Sequence, residues 1–510
     1  MQQVDHWLPD GWFLDFHDFH RELLSIESLL PGFGDVAELA RRNGARQGTP
    51  YFLDPSGRAD VLVNAFWRAP GVRSLASETH RRYAHSLKVW LDFLHVIGSS
   101  WRLAGRAELA AFKEWRLSAD LNPAYIEPSS FCTDRSAIRR FYEWVGERVG
   151  VENPVRARVI NDVFYGAERV VLEGTPSGIR RADVKWLTPE AFKLWRNIGL
   201  RGFTSQGLPS PRWHGQVEDR DVAFAEGLYG TGLRNREWSS VLLVELPEAP
   251  LPGLFRGRVA SVCAKRATGR PFWMRRRVAQ QVRFYLEEGS RPAAVDRAQR
   301  AGRYEAVRGR WMMREVRPGR LLRVVDEDGL VRDVGLDALP LEIRMRLFKE
   351  GPGGLEPLWL WLNHDGTPRP KEAWNKTFDR ANRRVAKALA TWDGEGAPVH
   401  LWCRPHMLRH SFALRWFCIA TFVAWQRTGL LSEEEQRDFR NQLGDVWFLL
   451  STLLGHRSVE TTREVYLEPF QALQVDQLVG LMDADDRAAL ERLVETMGLI
   501  EPRVLTGAGA

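Results

Sequence analysis

Two segments, LWCRPHMLRHSFALRW (residues 401–416) and LLGHRSVETTREVYLEPF (residues 453–470), decide how this chain is to be interpreted. They hold the candidate chemical groups His406, Arg409, His410, His456 and Tyr466. A tyrosine beside arginine and histidine predicts nucleophilic attack on a phosphodiester, because the phenol can be linked covalently while cationic donors stabilise charge on the phosphoryl oxygens. Each group also has a structural alternative: His410 can brace its helix, His456 can cap a turn, and Tyr466 can be a packed core residue.

The composition is that of a soluble globular protein with two or three domains: 510 residues, 44% hydrophobic and 27% charged. The formal net charge of +7 favours a polyanionic partner, although so mild an excess is weak evidence. The cysteines form no C-x-x-C pair and predict reduced thiols rather than disulfides or a zinc site; they are Cys132, Cys263, Cys403 and Cys418. The sequence starts without a basic leader, and its most apolar run, 412–425, falls short of the roughly 20 residues of a membrane span. We therefore expect a cytoplasmic protein with no membrane partner.

The first 156 residues predict a helical module after an uncharacterised start. Residues 1–73 carry no chemical motif and are treated as an N-terminal extension, for packing or for DNA contact, with a short helix near 36–42. Apolar residues at helical spacing predict three helices, from Ser77, over 106–119 and over 133–149. The basic residues expected on their outer faces are Arg81, Arg82, Lys88, Arg139 and Arg140. Such a bundle (74–156) can grip DNA or can simply be solvated.

A second domain is expected after a linker at 157–180. Thr188 followed by Pro189 predicts a helix start. Farther on, an apolar helix leads into GTGLRNRE (230–237), where the glycines allow a tight turn that points Arg234 into a cleft; a surface arginine at a helical corner is the alternative. The segment 258–274 alternates like a strand pair around a polar turn. Its basic residues are Lys265, Arg266 and Arg270, and we expect the two arginines to contact DNA.

Residues 289–350 predict a long, irregular insertion. Between positions 297 and 323 there are nine arginines, no lysines and two glutamates, so this stretch alone carries 9 − 2 = +7. Arginine without lysine favours phosphate and groove contacts, with Arg308 and Arg310 as candidates, although a solvated insertion is the alternative. An apolar strand with an Asp-Gly turn is predicted at 359–368, and an amphipathic helix, basic on one face, at 371–389.

In order and local context these motifs resemble the tyrosine recombinase (phage integrase) family. The matching catalytic residues are Arg234, Lys265, His406, Arg409, His456 and Tyr466. The resemblance implies that Tyr466 forms a 3′-phosphotyrosyl bond without metal or ATP, that Lys265 on a β-hairpin protonates the leaving 5′-oxygen, and that Glu237 holds Arg234 in place. The family often has a second basic residue just downstream of that lysine, and Arg270 fits this position. Two features depart from the family pattern: 50 residues separate His406 from His456, and Tyr466 lies ten residues after His456.

The expected fold is mainly α with a small β-sheet: a helical core-binding domain, then a mixed α/β catalytic domain (181–470) and a C-terminal helix and tail (471–510). The expected function is that of a mobile-element integrase acting on double-stranded DNA. It is expected to be a homotetramer on DNA and a monomer when free, with an excisionase or DNA-bending protein as a further partner. The alternatives are a transposase, resolvase or telomere-processing enzyme with the same chemistry, or a non-cleaving DNA-binding protein of the same fold.

Overall fold

A computed structural model describes residues 10–19, 36–75, 77–162, 167–176, 185–247, 254–265, 268–390, 400–428, 446–456, 458–463 and 465–466. The chain divides into two compact units, Met1–Arg180 and Arg181–Ala510. The fold class is as predicted, with a mainly helical first unit and a mixed α/β second unit. The expected C-terminal helix after residue 470 lies outside the described residues, as does the segment 429–445.

The first unit consists of helices and two short antiparallel strand pairs, β1–β2 and β3–β4. Its elements are β1 (Phe13–Phe16), α1 (Val36–Arg42), β2 (Pro50–Leu53), α2 (Val61–Phe66), α3 (Pro70–Arg73), α4 (Ser77–Val96), α5 (Arg106–Leu117), α6 (Pro128–Val149), β3 (Ala157–Asp162) and β4 (Ala167–Leu172). The segment 157–180, expected as a linker, therefore contains a strand pair.

The core of this unit forms because α4, α5 and α6 each place aromatic residues at helical spacing on one face. Trp90 packs edge-on against Phe112, with ring centroids 5.1 Å apart, and both side chains are fully buried. Phe52 and Trp67, which precede the helical module predicted from residue 74, belong to the same core. The expected boundary at residue 74 thus lies inside the unit.

The second unit packs further helices, a two-stranded hairpin and a five-stranded sheet around the largely buried helix α8. Its elements are α7 (Pro189–Gly199), α8 (Glu218–Thr231), α9 (Asn235–Ser239), β5 (Leu254–Val259), β6 (Arg270–Arg275), α10 (Arg276–Glu287), α11 (Ser290–Arg300), β7 (Trp311–Arg317), β8 (Leu321–Val325), β9 (Val331–Gly335), α12 (Leu341–Arg344), β10 (Leu347–Gly351), β11 (Gly354–Pro357), α13 (Lys371–Leu389), α14 (Pro405–Thr428) and α15 (Val446–Leu454). As predicted, Thr188 caps α7: its hydroxyl accepts a hydrogen bond from the Ala191 N–H.

Aromatic side chains fix the helices of this unit around α8. Phe224 of α8 stacks on Trp374 of α13, with ring centroids 3.5 Å apart. Trp238 of α9 donates its indole N–H to the Phe224 carbonyl, and Trp361 donates to the Trp238 carbonyl. These buried contacts hold α9 against the end of α8, which is where the GTGLRNRE turn lies.

The segment 289–350 is not the irregular insertion that the sequence predicts. After α11 it forms most of a sheet with strand order β11-β10-β7-β8-β9, in which β7 and β10 are parallel and the other pairs antiparallel. Leu322, Val324 and Phe348 from this sheet are fully buried in the same core as α8. The sheet is therefore an integral layer of the second unit.

Several arginines of this segment pair with acidic residues that lie outside the stretch counted above. Arg314 pairs with Glu350 at 2.8 Å, and Arg323 pairs with Asp333 at 3.2 Å. Arg310 donates to the carbonyls of Tyr304 and Val307, closing the turn after α11. Much of the apparent charge excess is thus neutralised locally, whereas Arg308 is exposed. Within the part of the chain that the structure describes, no helix combines the length and apolar character needed to cross a membrane.

Candidate active site

Arg234 is positioned by the sharp turn between α8 and α9. Gly232 ends α8 with φ +65°, and a Cβ there would lie 2.3 Å from a ring atom of Phe412, so both the backbone and the packing require glycine. Arg234 then begins α9. Its backbone N–H donates to Glu237 Oε2 at 2.8 Å, and its guanidinium donates to Glu237 Oε1 at 2.9 Å. The Arg234 side chain remains 24% exposed, so it is both anchored and accessible.

Glu237 holds two arginines at once. Besides Arg234, it accepts two hydrogen bonds from Arg270 of β6, at 2.8 and 2.7 Å, and its side chain is fully buried. Burial alone raises the pKa of this carboxyl group, but the hydrogen bonds and charge of Arg270, together with Arg409 and Arg234, hold it at about 2. Glu237 is therefore ionised at any working pH.

The structure contradicts the prediction that Arg270 contacts DNA. It is 7% exposed, and both of its terminal nitrogens are bonded to Glu237, so it lies in the interior rather than on a DNA-facing surface. The sequence places these partners 33 residues apart, and only the register of β6 brings them together. The available sequence signal is alternation along β6, which puts Arg270 on the same face as the apolar residues Phe272 and Met274; this face is buried in the structure.

Arg409, on α14, joins the ends of two other helices. It donates to the Gly232 carbonyl at the end of α8 (2.6 Å) and to the Leu454 carbonyl at the end of α15 (2.5 Å). Carbonyls at helix C-termini lack helical partners and favour a cation, so these bonds fix the guanidinium in place. Burial, and then the charge of Arg234, lowers the pKa of Arg409 to about 9, which still leaves it charged at neutral pH.

His456 follows α15 after Gly455, whose φ is +64°. Its Nε2 lies 3.4 Å from an Arg409 nitrogen, and its Nδ1 lies 2.9 Å from the Thr462 hydroxyl. Because arginine can only donate, Nε2 accepts and Nδ1 carries the proton. Burial, and then Arg409 and Arg234, lowers the pKa of His456 to about 3, so the ring is neutral.

His406 stands at the exposed rim of the site, on the same helix as Arg409. Loss of water around its ring, followed by the charges of Arg409, Arg234 and Lys265, lowers its pKa to about 4. Lys265 itself is exposed and lies in the connection between β5 and β6, outside the paired residues of the predicted hairpin. Its neighbour Arg266, a predicted DNA contact, lies outside the described residues.

Tyr466 is enclosed among the histidines. Its hydroxyl lies 2.8 Å from His410 Nδ1, and its ring stacks on His456 with centroids 6.5 Å apart. Burial raises the pKa of Tyr466 to about 12, although Arg409 and Arg234 act in the opposite direction. The structure thus places five predicted groups around one point (Arg234, His406, Arg409, His456 and Tyr466), with Lys265 close enough to influence His406. Across the described residues, no group of three or more His, Cys, Asp or Glu side chains is arranged to hold a metal ion.

The predicted DNA contacts of the first unit have varied surroundings. Lys88 is largely buried and forms a salt bridge of 2.7 Å with Asp92, one turn along the same helix α4. It therefore does not face outward, contrary to the prediction. Arg81 lies over the Phe16 ring, and Arg139 pairs with Glu143. Arg140 donates to the Gly71 carbonyl, and Arg82 is exposed. A DNA-contacting role for these surface residues stays a prediction.

Residues 66–148, which include the three predicted helices of the first unit, match the family model described as the phage integrase N-terminal SAM-like domain. This part of the first unit is therefore a domain of the phage integrase N-terminal SAM-like family. No curated protein sequence matches the chain. Among solved structures, it is similar to the XerH site-specific recombinase bound to palindromic difH substrate in a post-cleavage complex: 12% identity, TM-score 0.44, covering 84% of this chain and 87% of that one. It is also similar to the XerA recombinase: 12% identity, TM-score 0.25, covering 85% and 96%.

Proposed function

We propose that this chain is a site-specific DNA recombinase that cuts and rejoins double-stranded DNA through a covalent 3′-phosphotyrosyl intermediate. The observation that carries the proposal is the arrangement of Arg234 and Arg409 beside Tyr466. Each guanidinium is fixed by protein contacts, Arg234 by Glu237 and Arg409 by two helix ends. Fixed charges of this kind stabilise a pentacoordinate phosphoryl transition state without further reorganisation.

The chemistry follows from the groups at the site. Tyr466 Oη attacks phosphorus while the bond from phosphorus to the 5′-oxygen breaks. Lys265 gives a proton to the leaving 5′-oxygen, His406 donates a hydrogen bond to a phosphoryl oxygen, and His456 helps to hold Arg409 through its acceptor Nε2. Because the phosphotyrosyl bond conserves the energy of the phosphodiester, a 5′-hydroxyl can reverse the step without ATP. Positive charge comes from the arginines, so the proposal requires no metal ion.

Helix α13 supports a DNA partner. Trp374, Phe378, Ala381 and Val385 lie on its buried face, and the exposed side carries a basic stripe. We call the four exposed cations Lys376, Arg380, Arg383 and Lys387 the α13 stripe. In the part of the chain that the structure describes, no salt bridge to any member of the stripe is seen. Cations that recur at helical spacing, and that are not neutralised by salt bridges, can contact a row of phosphates.

The biological setting belongs to the same proposal. We propose that the chain is the integrase of a mobile element, that it assembles as a homotetramer on its crossover sites, and that it works in the cytoplasm on the nucleoid. An excisionase or DNA-bending protein is the accessory partner of such a system. Tyr466 and Arg409 are each 1% exposed, so DNA has to displace protein that covers them before the phosphate can enter.

The test is to trap the covalent adduct. Duplexes from the flanks of the protein's own gene, nicked near the cleavage position so that religation fails, are incubated with the chain, and denaturing gels with mass mapping locate the adduct. We expect an adduct on Tyr466 and a free 5′-hydroxyl. Tyr466→Phe should abolish the adduct with DNA binding nearly unchanged. Tyr304→Phe, which alters another buried tyrosine of the same unit, should leave it intact. An adduct with Tyr466→Phe would refute this nucleophile, and binding without any adduct would favour a non-cleaving protein.

A further inference from the structure

His410 shares one helix with two other groups of the site, His406 and Arg409, but faces a different partner. Its Nδ1 lies 2.8 Å from the Tyr466 hydroxyl, well within hydrogen-bonding distance. The ring of His410 also packs edge-on against that of His406, with centroids 4.4 Å apart. His410 thus contacts the phenol of Tyr466 directly through a ring nitrogen.

The protonation states of His410 and Tyr466 set the direction of this hydrogen bond. Burial, and then His406, Arg409 and His456, lowers the pKa of His410 to about 3, so its ring is neutral. Burial keeps Tyr466 protonated, with a pKa of about 12. The phenol therefore donates and Nδ1 accepts, which places the remaining proton of the imidazole on Nε2. The O–H bond of Tyr466 therefore points at His410.

The other histidines are less suited to take this proton. The ring nitrogens of His456 face Arg409 and the Thr462 hydroxyl. His406 is at the exposed rim, where the proposed reaction has it donating to phosphate. A proton acceptor must be within hydrogen-bond reach of the proton that it removes, and His410 meets that condition before the substrate arrives.

We propose that His410 accepts the proton of Tyr466 through Nδ1 as the phenolic oxygen attacks phosphorus, which makes it a further catalytic residue of the reaction proposed above. This inference rests on the proposed function. The O–H bond breaks as the Oη–P bond forms, and the proton moves to Nδ1. The P–O5′ bond breaks, and the leaving oxygen takes its proton from Lys265. In religation His410 returns the proton to Tyr466 as the Oη–P bond breaks.

The incoming phosphate makes this transfer favourable. In the free chain Arg409, on the same helix, is the cation whose charge lowers the pKa of His410, and the neutral rings of His406 and His456 lie beside it. A phosphodiester between the arginines brings negative charge that offsets the effect of Arg409 on the imidazole. At the same time the phenol becomes far more acidic as its oxygen bonds to phosphorus. Both changes favour the imidazolium form of His410 in the transition state.

The test separates proton transfer from simple bracing. In His410→Asn an amide can still receive a hydrogen bond but cannot take the proton. We expect the rate of adduct formation on nicked DNA to fall roughly 10²- to 10⁴-fold, with DNA affinity unchanged. The rate of this variant should then rise with pH, and 3-fluorotyrosine at position 466, a more acidic phenol, should restore much of it. The matched control is His406→Asn, which should be slow but gain nothing from fluorination.

Each result has one meaning. A His410→Asn variant that cleaves at the wild-type rate overturns the inference. So does a slow variant that responds neither to pH nor to fluorotyrosine, because it shows that His410 only positions the phenol. His410→Gln provides a second variant, and circular dichroism verifies that both are folded. If the wild-type chain forms no adduct on Tyr466, the proposed function itself fails, and the inference fails with it.

Discussion

Replacing Glu237 with glutamine should destabilise the second unit by about 3 kcal/mol at neutral pH. The pKa of this carboxyl group falls from an ordinary 4.5 to about 2 in the folded chain. A difference of 4.5 − 2 = 2.5 corresponds to about 3 kcal/mol, at roughly 1.36 kcal/mol for each pKa unit. Removing one partner of a buried ion pair costs roughly 3–5 kcal/mol, which agrees with this value. Because the Glu237 side chain is fully buried, solvent does not screen the effect.

The pH dependence has a definite sign. The folded-state pKa of Glu237 lies below the unfolded one, so its stabilisation is complete above about pH 4.5 and is lost as the pH falls through about 2. By about pH 3, more than half of the contribution should be gone. Wild type and Glu237→Gln should therefore differ most at neutral pH and converge on acidification.

Urea unfolding followed by tryptophan fluorescence measures this difference at about pH 7 and about pH 3. The control is Glu350→Gln, which breaks an exposed pair with Arg314 on the same unit. Exposed ion pairs contribute about 0–1 kcal/mol, so this control should hardly shift the midpoint. Equal shifts for the two variants, or a Glu237→Gln effect that does not shrink at about pH 3, would refute the role of Glu237 as the buried anion of the site.

Two further predictions concern the turn at the site and the DNA surface. Gly455→Ala should cost at least about 1–2 kcal/mol in stability because φ at this position is +64°. It should also slow cleavage, because the added Cβ would lie 2.2 Å from Arg270 Cδ and push the Arg270 side chain away from the Glu237 carboxylate. Differential scanning calorimetry measures the stability and the adduct assay measures the cleavage rate; an active variant of wild-type stability would contradict the close contact between Gly455 and Arg270. Arg383→Ala, which removes one cation of the α13 stripe, should weaken binding to all duplexes alike and reduce the slope of log affinity against log salt by about 1. The control is Arg323→Ala: because Arg323 already pairs with Asp333, its loss should change neither the affinity nor the slope. An unchanged slope for the first variant would exclude phosphate contact by that residue.

The sequence predicts this chain best where the signal is local. The bounds of α1 and α13 are as expected, because apolar spacing within one helix sets them. The Thr188 cap is confirmed for the same reason. For Lys88 the sequence does hold a local signal, because Asp92 lies one helical turn away and this spacing favours an ion pair over an outward-facing cation.

Contacts between distant segments could not be predicted in this way. The pairing of Arg270 with Glu237 depends on where β6 lies beside α9, and no spacing rule gives that. The hydrogen bond from Tyr466 to His410 joins residues 56 apart in the chain. The sheet at 311–357 replaces the predicted irregular insertion. Its one local sequence signal is alternation in β8, where Leu322 and Val324 are buried between exposed or partly exposed neighbours.

The electrostatics of the site explain why it is suited to one kind of ligand. Within the described site, Arg234, Arg270 and Arg409 carry +3, and Glu237 returns −1, which leaves 3 − 1 = +2 in a largely buried region. The neighbouring histidines respond by staying neutral, since a further cation there would cost more. A phosphodiester brings one negative charge and relieves part of this excess, and the pentacoordinate transition state concentrates more negative charge on the oxygens that face the arginines. In the proposed reaction the same cations would therefore stabilise the transition state more than the bound substrate, and that difference is what accelerates a reaction.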